Sequence, residues 1–349
     1  MSKGPIRLAV IGCGNIAQHA HLPAIQRVEE VRLVAVADPY EEVSRQVAGL
    51  NGLKEADACT DAAPILARDD VDAVALCAPT ALHAELTIAA LRAGKHVLVE
   101  KPMAETSQDA RAMAEAAAET GRTLMIAYNH SYDVAATHVG AMVDAGELGD
   151  IAFAEVFFYE DRGCWSAGAL TSTIRAKDQK SFWPRREEPT LRVRDYIHNF
   201  DSHVLNLMRL LLGEPKGIEY CRWTDGAGLW AMFDYGPFRT GLKNVRLGQH
   251  RFEKGIEICG RRKRVRLELA PPLERYTPGR VEIHDIEARQ TSTPCLPWRW
   301  PFEMEYRHFA ACLLEGREPK TSGRQALRDV ELAEELAHMA LQAGQGDQA

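Results

Sequence analysis

The chain has no apolar run near the ~18 residues that a membrane-spanning helix needs, no excess of basic residues and no paired-cysteine motif. Its 349 residues carry 42 Lys and Arg against 49 Asp and Glu, a net charge of −7, with an isoelectric point near 6.0. A protein that binds nucleic acid needs a basic stripe to neutralise phosphates, so nucleic acid is excluded as a partner. The eight cysteines (Cys13, Cys59, Cys77, Cys164, Cys221, Cys259, Cys295 and Cys312) include no C-x-x-C pair. Such spacing reads as reduced, mostly buried thiols, and it gives a metal no ligand pattern. The opening MSKGPIRLAVIG lacks the longer apolar core of a signal peptide, so a cytoplasmic, membrane-free protein is expected. There is no internal repeat.

What is present is a folded composition, 46% hydrophobic and 26% charged, in a chain too long for one ordinary core. Two domains are expected, 1–128 and 129–349, with closing helices over 302–342 packing back toward the first. Up to about residue 127 strands and helices alternate. Ile6–Ile11, Val31–Ala37, Val71–Cys77, His96–Val99 and Thr123–Ala127 read as strands, and Ala81–Ala93 and Gln108–Glu119 as helices. That grammar predicts an α/β domain with a doubly wound parallel sheet. Beyond it come a helix (Ala135–Asp144), a strand from Ile151, an irregular stretch (162–194) and a helix over Phe200–Leu212. Six strand candidates between Gly217 and Ala288 then follow with no helix among them, the pattern of an α+β domain built on an open, mostly antiparallel sheet.

Gly12-Cys13-Gly14-Asn15-Ile16-Ala17 follows the first strand and opens a helix, the G-x-G-x-x-(G/A) dinucleotide fingerprint in its required setting. The first glycine permits the tight turn, the second lets backbone amides reach a pyrophosphate at the helix start, and Ala17 allows close helix–strand packing. The second strand ends at Asp38, where a carboxylate accepts hydrogen bonds from the adenosine ribose and repels a 2′-phosphate. The cofactor is therefore read as NAD rather than NADP. Asp38 also has a simpler reading, as a cap for the next helix. Cys13, inside the loop, reads as packing.

Two further motifs stand out: Glu100-Lys101-Pro102 directly after a strand, preceded by Ala78-Pro79-Thr80 and His83, and Asn199-Phe200-Asp201-Ser202-His203 running through Asn206 into Leu211-Leu212-Gly213. Together with the glycine loop, Asn129 and the closing Phe302…His308-Phe309…Gly316…Pro319…Gly323 pattern, the chain resembles the glucose–fructose oxidoreductase/inositol dehydrogenase (Gfo/Idh/MocA) family. The resemblance implies a Rossmann domain plus a sheet domain that carries the substrate site and an oligomer interface, giving a homodimer or homotetramer through the C-terminal sheet. It also implies a cofactor set of Gly12, Gly14, Asn15, Ile16, Asp38, Pro79, His83, Glu100, Lys101 and Asn129. Lys101 would touch both the nicotinamide ribose and the substrate hydroxyl, His203 would be the general base, and Trp183, Asp195 and Asn199 would line the substrate. Asn199 departs from the family, many members of which carry Asp there. An amide orients a hydroxyl but exchanges no proton, which leaves Asp195 or Asp201 to supply the carboxylate.

Oxidising a secondary alcohol needs a hydride acceptor, a proton acceptor and positive charge near the developing alkoxide, and these residue types supply the last two. The expected activity is NAD-dependent, reversible oxidation of a hydroxyl of a sugar, amino sugar, nucleotide sugar or cyclitol to a ketone. Arginine far outnumbers lysine among the 42 basic residues, a bias of GC-rich bacterial genomes that suits a sugar-tailoring pathway such as aminoglycoside or deoxysugar synthesis. Rival readings are a redox-neutral glycoside hydrolase using NAD, a reductase of a non-sugar carbonyl or imine, and a non-catalytic NAD-sensing regulator. The last of these would not need both Lys101 and His203. Arg162–Arg194 is rich in basic and aromatic side chains and borders the expected substrate helix. It reads equally as a wall for a sugar ring or as a solvated arm.

Overall fold

The computed structural model describes residues 4–159, 173–178, 193, 196–197, 202–224, 228–245 and 252–346. The chain falls into two compact units, one comprising 1–128, 170–185 and 302–331, the other 129–169, 186–301 and 332–349.

In the first unit, β1 (Ile6–Ile11), β2 (Val31–Ala37), β3 (Ala58–Cys59), β4 (Ala73–Leu76), β5 (His96–Glu100) and β6 (Leu124–Ala127) form one sheet in the order β3-β2-β1-β4-β5-β6. Every pairing in it is parallel. Helices cover both faces, so the strands are near-continuous apolar runs rather than alternating ones: Leu8, Ala9 and Val10 are all fully buried. The sixth strand, β3, escapes sequence reading because two residues after a polar stretch carry no period.

The helices begin where side chains can take up their first N–H groups. Thr106 Oγ1 accepts from Asp109 N at 3.1 Å and opens the helix Ser107–Thr120, which stops at Gly121 in the left-handed conformation. The helix Pro301–Glu315 and the start of Gly323–Gly346 belong to the same unit. Thr321 Oγ1 donates to Ile126 O at 2.8 Å, tying the loop between those helices to β6.

The strand order reverses between β1 and β4. That switch point is where open α/β sheets bind ligands. Here it brings Gly12, after β1, against Cys77, after β4.

The second unit is built on β7 (Ile151–Tyr159), β8 (Gly217–Thr224), β9 (Gly228–Asp234), β10 (Arg239–Val245), β11 (Glu253–Gly260), β12 (Lys263–Leu269), β13 (Arg280–Asp285) and β14 (Gln290–Ser292), ordered β14-β13-β12-β11-β7-β10-β9-β8. All neighbours are antiparallel except β7 and β10. One face is apolar: Val156, Phe233, Leu242, Ile256 and Leu267 meet the buried stripes of helices Val134–Asp144 and Ser202–Leu212. The other face alternates charge and ring, with Lys243 Nζ 2.7 Å from Glu155 and Arg266 lying 4.5 Å over the Phe157 ring. Among the described residues no helix is long and apolar enough to cross a membrane.

Phe233 is completely buried in this core. Phe233→Ala is expected to lower unfolding free energy by about 3–5 kcal/mol, read from urea denaturation. A loss under about 1 kcal/mol would mean that the sheet is not packed there as described.

Candidate active site

The glycine loop is shaped by contacts that leave no room for a side chain at its first position. Gly12 has φ +91°, and a Cβ placed on it would lie 2.7 Å from the main-chain carbon and oxygen of Cys77. Its N–H donates to Ala37 O at 2.8 Å, and the next N–H, of Cys13, donates to Asp38 Oδ2 at 3.0 Å. Gly14 differs: a Cβ there meets nothing within 4 Å. That open space over the loop is what a pyrophosphate drawn close to the backbone requires, so the residues fit a dinucleotide.

A helical stretch follows the loop. Its first part is a π turn, Ala17–His21, which runs into the short α turn Leu22–Ile25. Ile16 already has helical torsions at its start. Asp38 does not cap the helix after β2, whose cap residue is Tyr40. Instead the buried carboxylate accepts from Cys13 N with one oxygen and from Tyr40 N with the other, at 3.0 Å each. It therefore binds the end of β2 to the glycine loop. Cys13 is fully buried, and burial, with Asp38 adding to it, pushes its thiol up, as suits a packing residue.

The stretch 173–178 also meets this loop. Thr173 Oγ1 donates to Asn15 Oδ1 at 2.8 Å and lies 3.0 Å from His19 Nε2. The Gln18 carboxamide accepts from Ile174 N at 2.9 Å, and donates to Ile174 O at 3.1 Å and to Cys13 O at 2.6 Å. Part of the basic segment thus lies along the loop's helix.

At the end of β5 the Glu100-Lys101-Pro102 turn contains a cis Lys101–Pro102 bond. Glu100 is buried, with Oε2 accepting from Lys101 N at 3.0 Å and Oε1 lying 2.8 Å from His21 Nε2. Burial alone would raise this carboxyl, but the His21 hydrogen bond, the charges of His21 and Lys101 and the Lys101 N–H outweigh it. The net result lies below the ordinary glutamate value. His83 braces the turn from beneath: its ring nitrogens sit 2.8 Å from Pro102 O and 2.9 Å from Ala78 O. Burial lowers its pKa against the pull of those carbonyls. Pro79 precedes the 3-10 turn Thr80–Leu82 that leads into His83. Lys101 itself is half-buried.

The second unit holds the other expected groups. His203 lies in the first turn of Ser202–Leu212, half-buried, with its ring 4.5 Å from that of His130. His130 belongs to the turn Asn129–Tyr132, every residue of which is buried. Ser131 Oγ donates to Asn206 Oδ1 at 2.6 Å, which fastens that turn to the His203 helix. Asn129 is 2% exposed, and its side-chain Nδ2 has no acceptor among the described residues. Its donor is thus available to a ligand. Trp183, Asp195, Asn199 and Asp201 lie outside the described residues.

Sequence reading missed His21, Tyr306 and His130. The signals were faint: a His-Ala-His beside the fingerprint, a tyrosine inside a closing helix, and a histidine next to Asn129.

The two glycines are expected to separate folding from binding. Gly12→Ala forces a clash with main chain and should cost about 1–3 kcal/mol in thermal or urea unfolding. Gly14→Ala should fold normally and lose NAD+ affinity by fluorescence titration. Undiminished affinity in Gly14→Ala would remove the loop as the pyrophosphate cradle.

Residues 6–128 match the profile described as "Oxidoreductase family, NAD-binding Rossmann fold". Over the full length, the chain is 31% identical to inositol 2-dehydrogenase of Rhizobium meliloti, the alignment covering 94% of this chain and 95% of that one. It is 37% identical to 4-carboxy-2-hydroxymuconate-6-semialdehyde dehydrogenase of Sphingobium, over 41% of this chain and only 44% of that relative. Among solved structures, a 3-ketoreductase from Actinomadura kijaniata in complex with NADP superposes with a TM-score of 0.74 at 23% identity, covering 96% of this chain and 98% of the other. That likeness shows the fold. The first unit is a nicotinamide-dinucleotide-binding Rossmann domain, and the chain belongs to the Gfo/Idh/MocA family of oxidoreductases.

Proposed function

We propose that the protein catalyses the reversible oxidation of a secondary ring hydroxyl to a ketone on a sugar or cyclitol, with NAD as hydride carrier. The observation that carries this reading is the Glu100-Lys101-Pro102 turn at the C-terminal edge of the parallel sheet, with the Lys101 main chain held by a buried, ionised Glu100. Bound NAD+ supplies the hydride acceptor. The Lys101 ammonium stabilises the oxygen as its proton leaves, and the His203 imidazole takes that proton, an effect typically worth about 10²–10⁴-fold in rate. Asn129 offers its unspent side-chain N–H to the cofactor or substrate. The inositol acted on by the Rhizobium relative supports a polyol substrate. Amino sugars and nucleotide sugars in a bacterial tailoring pathway remain within the same chemistry. A second reading, a non-sugar carbonyl compound, is favoured by the Sphingobium semialdehyde dehydrogenase.

Asp38 supports NAD as the cofactor, since its carboxylate stands at the end of β2 and would repel a 2′-phosphate. The open face of the eight-stranded sheet, where Trp230 is 44% and Tyr220 52% exposed, is the surface we assign to self-association.

Incubation with NAD+ and a panel of inositols, sugars, amino sugars, nucleotide sugars and semialdehydes, followed by NADH absorbance and product mass, tests the reading. Lys101→Ala should reduce kcat at least ~100-fold while NAD+ still binds. Full turnover in that variant would end the proposal. NAD+ should bind at least ~10-fold more tightly than NADP+, a difference of about 1.4 kcal/mol. Tighter NADP+ binding would overturn the use made of Asp38.

A further inference from the structure

Glu100 holds the Lys101 main chain, and what holds Glu100 is a second chain of contacts. His21 is 1% exposed and spans two partners, with Nε2 2.8 Å from Glu100 Oε1 and Nδ1 2.9 Å from the Tyr306 hydroxyl. Tyr306 is fully buried, and its ring and that of Phe302 pack edge-on to the imidazole at 5.8 and 5.5 Å.

The hydrogen positions in this chain follow from its ends. An ionised carboxylate only accepts, so His21 Nε2 carries the hydrogen that it shares with Glu100. Burial, with the Glu100 carboxylate adding to it, pushes the Tyr306 phenol well above its ordinary pKa, so the hydroxyl keeps its proton. One end of the imidazole is thereby locked to a carboxylate and the other to a phenol, and the ring cannot turn without breaking both bonds.

The three residues come from different parts of the unit. His21 closes the π turn that follows the glycine loop, Glu100 ends β5, and Tyr306 lies in the helix Pro301–Glu315. His21 is seven residues beyond Gly14 on the segment that starts at the pyrophosphate loop. Glu100 is covalently next to Lys101. The chain of bonds therefore fixes the main chain bearing the ammonium relative to the loop that would seat the dinucleotide.

We propose that Tyr306, His21 and Glu100 form a positioning relay that sets Lys101 relative to the glycine loop, with His21 and Tyr306 acting on the reaction only through Lys101. This rests on the assignment of Lys101 above. The relay works on alignment rather than cofactor affinity, since neither His21 nor Tyr306 belongs to the expected cofactor set. A misplacement of about 1 Å in a reacting group costs on the order of 100-fold in rate. Loss of the relay should therefore appear in kcat and leave NAD+ binding intact.

The test uses the full chain with Tyr306→Phe, His21→Leu and His21→Gln, the last keeping an N–H donor for Glu100. The first readout needs no substrate: hydrogen–deuterium exchange at the Lys101 amide, which Glu100 Oε2 protects. Exchange there should quicken at least ~10-fold in Tyr306→Phe and His21→Leu, and return toward the parent rate in His21→Gln. Protection of β1 in Tyr306→Phe should stay as in the parent. The second readout is turnover of whichever panel compound the parent oxidises. There kcat should fall at least ~10-fold in Tyr306→Phe, with the NAD+ dissociation constant within about twofold and partial recovery of kcat in His21→Gln over His21→Leu.

Unchanged Lys101 exchange in both His21→Leu and Tyr306→Phe would overturn the relay even if no panel compound is turned over. Should Lys101→Ala abolish turnover while Tyr306→Phe and His21→Leu retain full kcat, the relay falls and the assigned activity stands. A fall in NAD+ affinity matching the fall in kcat would also overturn it, since the residues would then be supporting the loop rather than aligning Lys101.

Discussion

The close approach of two main chains, at Gly12 and at Cys77, is the constraint on which the first unit depends. Where the strand order reverses, β1 and β4 lie side by side, and the turns leaving them must pass within van der Waals reach. Only a residue without Cβ, in a left-handed conformation, satisfies both requirements at Gly12. Once that turn is made, Cys13 N faces Asp38 and the end of β2 is locked to the loop. The same edge of the sheet then carries Gly12, Asp38, Cys77 and Glu100 at the ends of four parallel strands. Side chains far apart in sequence acquire a common address because parallel strands end together.

Each unit carries its own set of candidate groups. The first supplies a cationic group on a turn held by buried hydrogen bonds, together with a loop suited to a pyrophosphate. The second supplies imidazoles on a helix and on a short turn, joined by the Ser131–Asn206 bond. A dehydrogenase needs these functions held independently, since the dinucleotide is the common reagent of the family while the substrate differs among its members. Identity with the Sphingobium enzyme spans less than half of each chain, whereas the Rhizobium enzyme matches throughout.

Local chemistry explains which parts were legible in the sequence. The glycine fingerprint, Asp38 and the Glu-Lys-Pro turn announce themselves because each is a fixed residue type at a fixed offset from an apolar run. Strands buried on both faces also read well, as Ile6–Ile11 does. Strand β3 has two residues and no period, so it could not be read, and neither could β14, whose Gln-Thr-Ser is wholly exposed. Asp38 was legible in type but not in full: its bond to Cys13 N depends on how the loop folds back, and no pattern along one strand encodes that. His21 and Tyr306 are 285 positions apart. A hydrogen bond between a π turn and a closing helix leaves no periodic trace, so only the fold could show it.

Two glutamates in the first unit show how environment decides what a buried carboxyl does. Glu100 and Glu305 are both buried, and burial pushes both toward the neutral form. Around Glu100, His21 and Lys101 supply a hydrogen bond, nearby charge and a main-chain donor, and together they reverse the effect of burial. Among the described residues Glu305 has no hydrogen-bond partner for either oxygen; the charge on Glu100 reinforces its upward shift, and Lys320 opposes it. Two adjacent carboxylates in a poorly polarisable interior cannot both ionise cheaply, so the proton goes to the one that lacks donors. The negative charge is left beside Lys101, where it favours the ammonium that the proposed chemistry requires. Glu305, driven toward its neutral form, leaves that charge to Glu100.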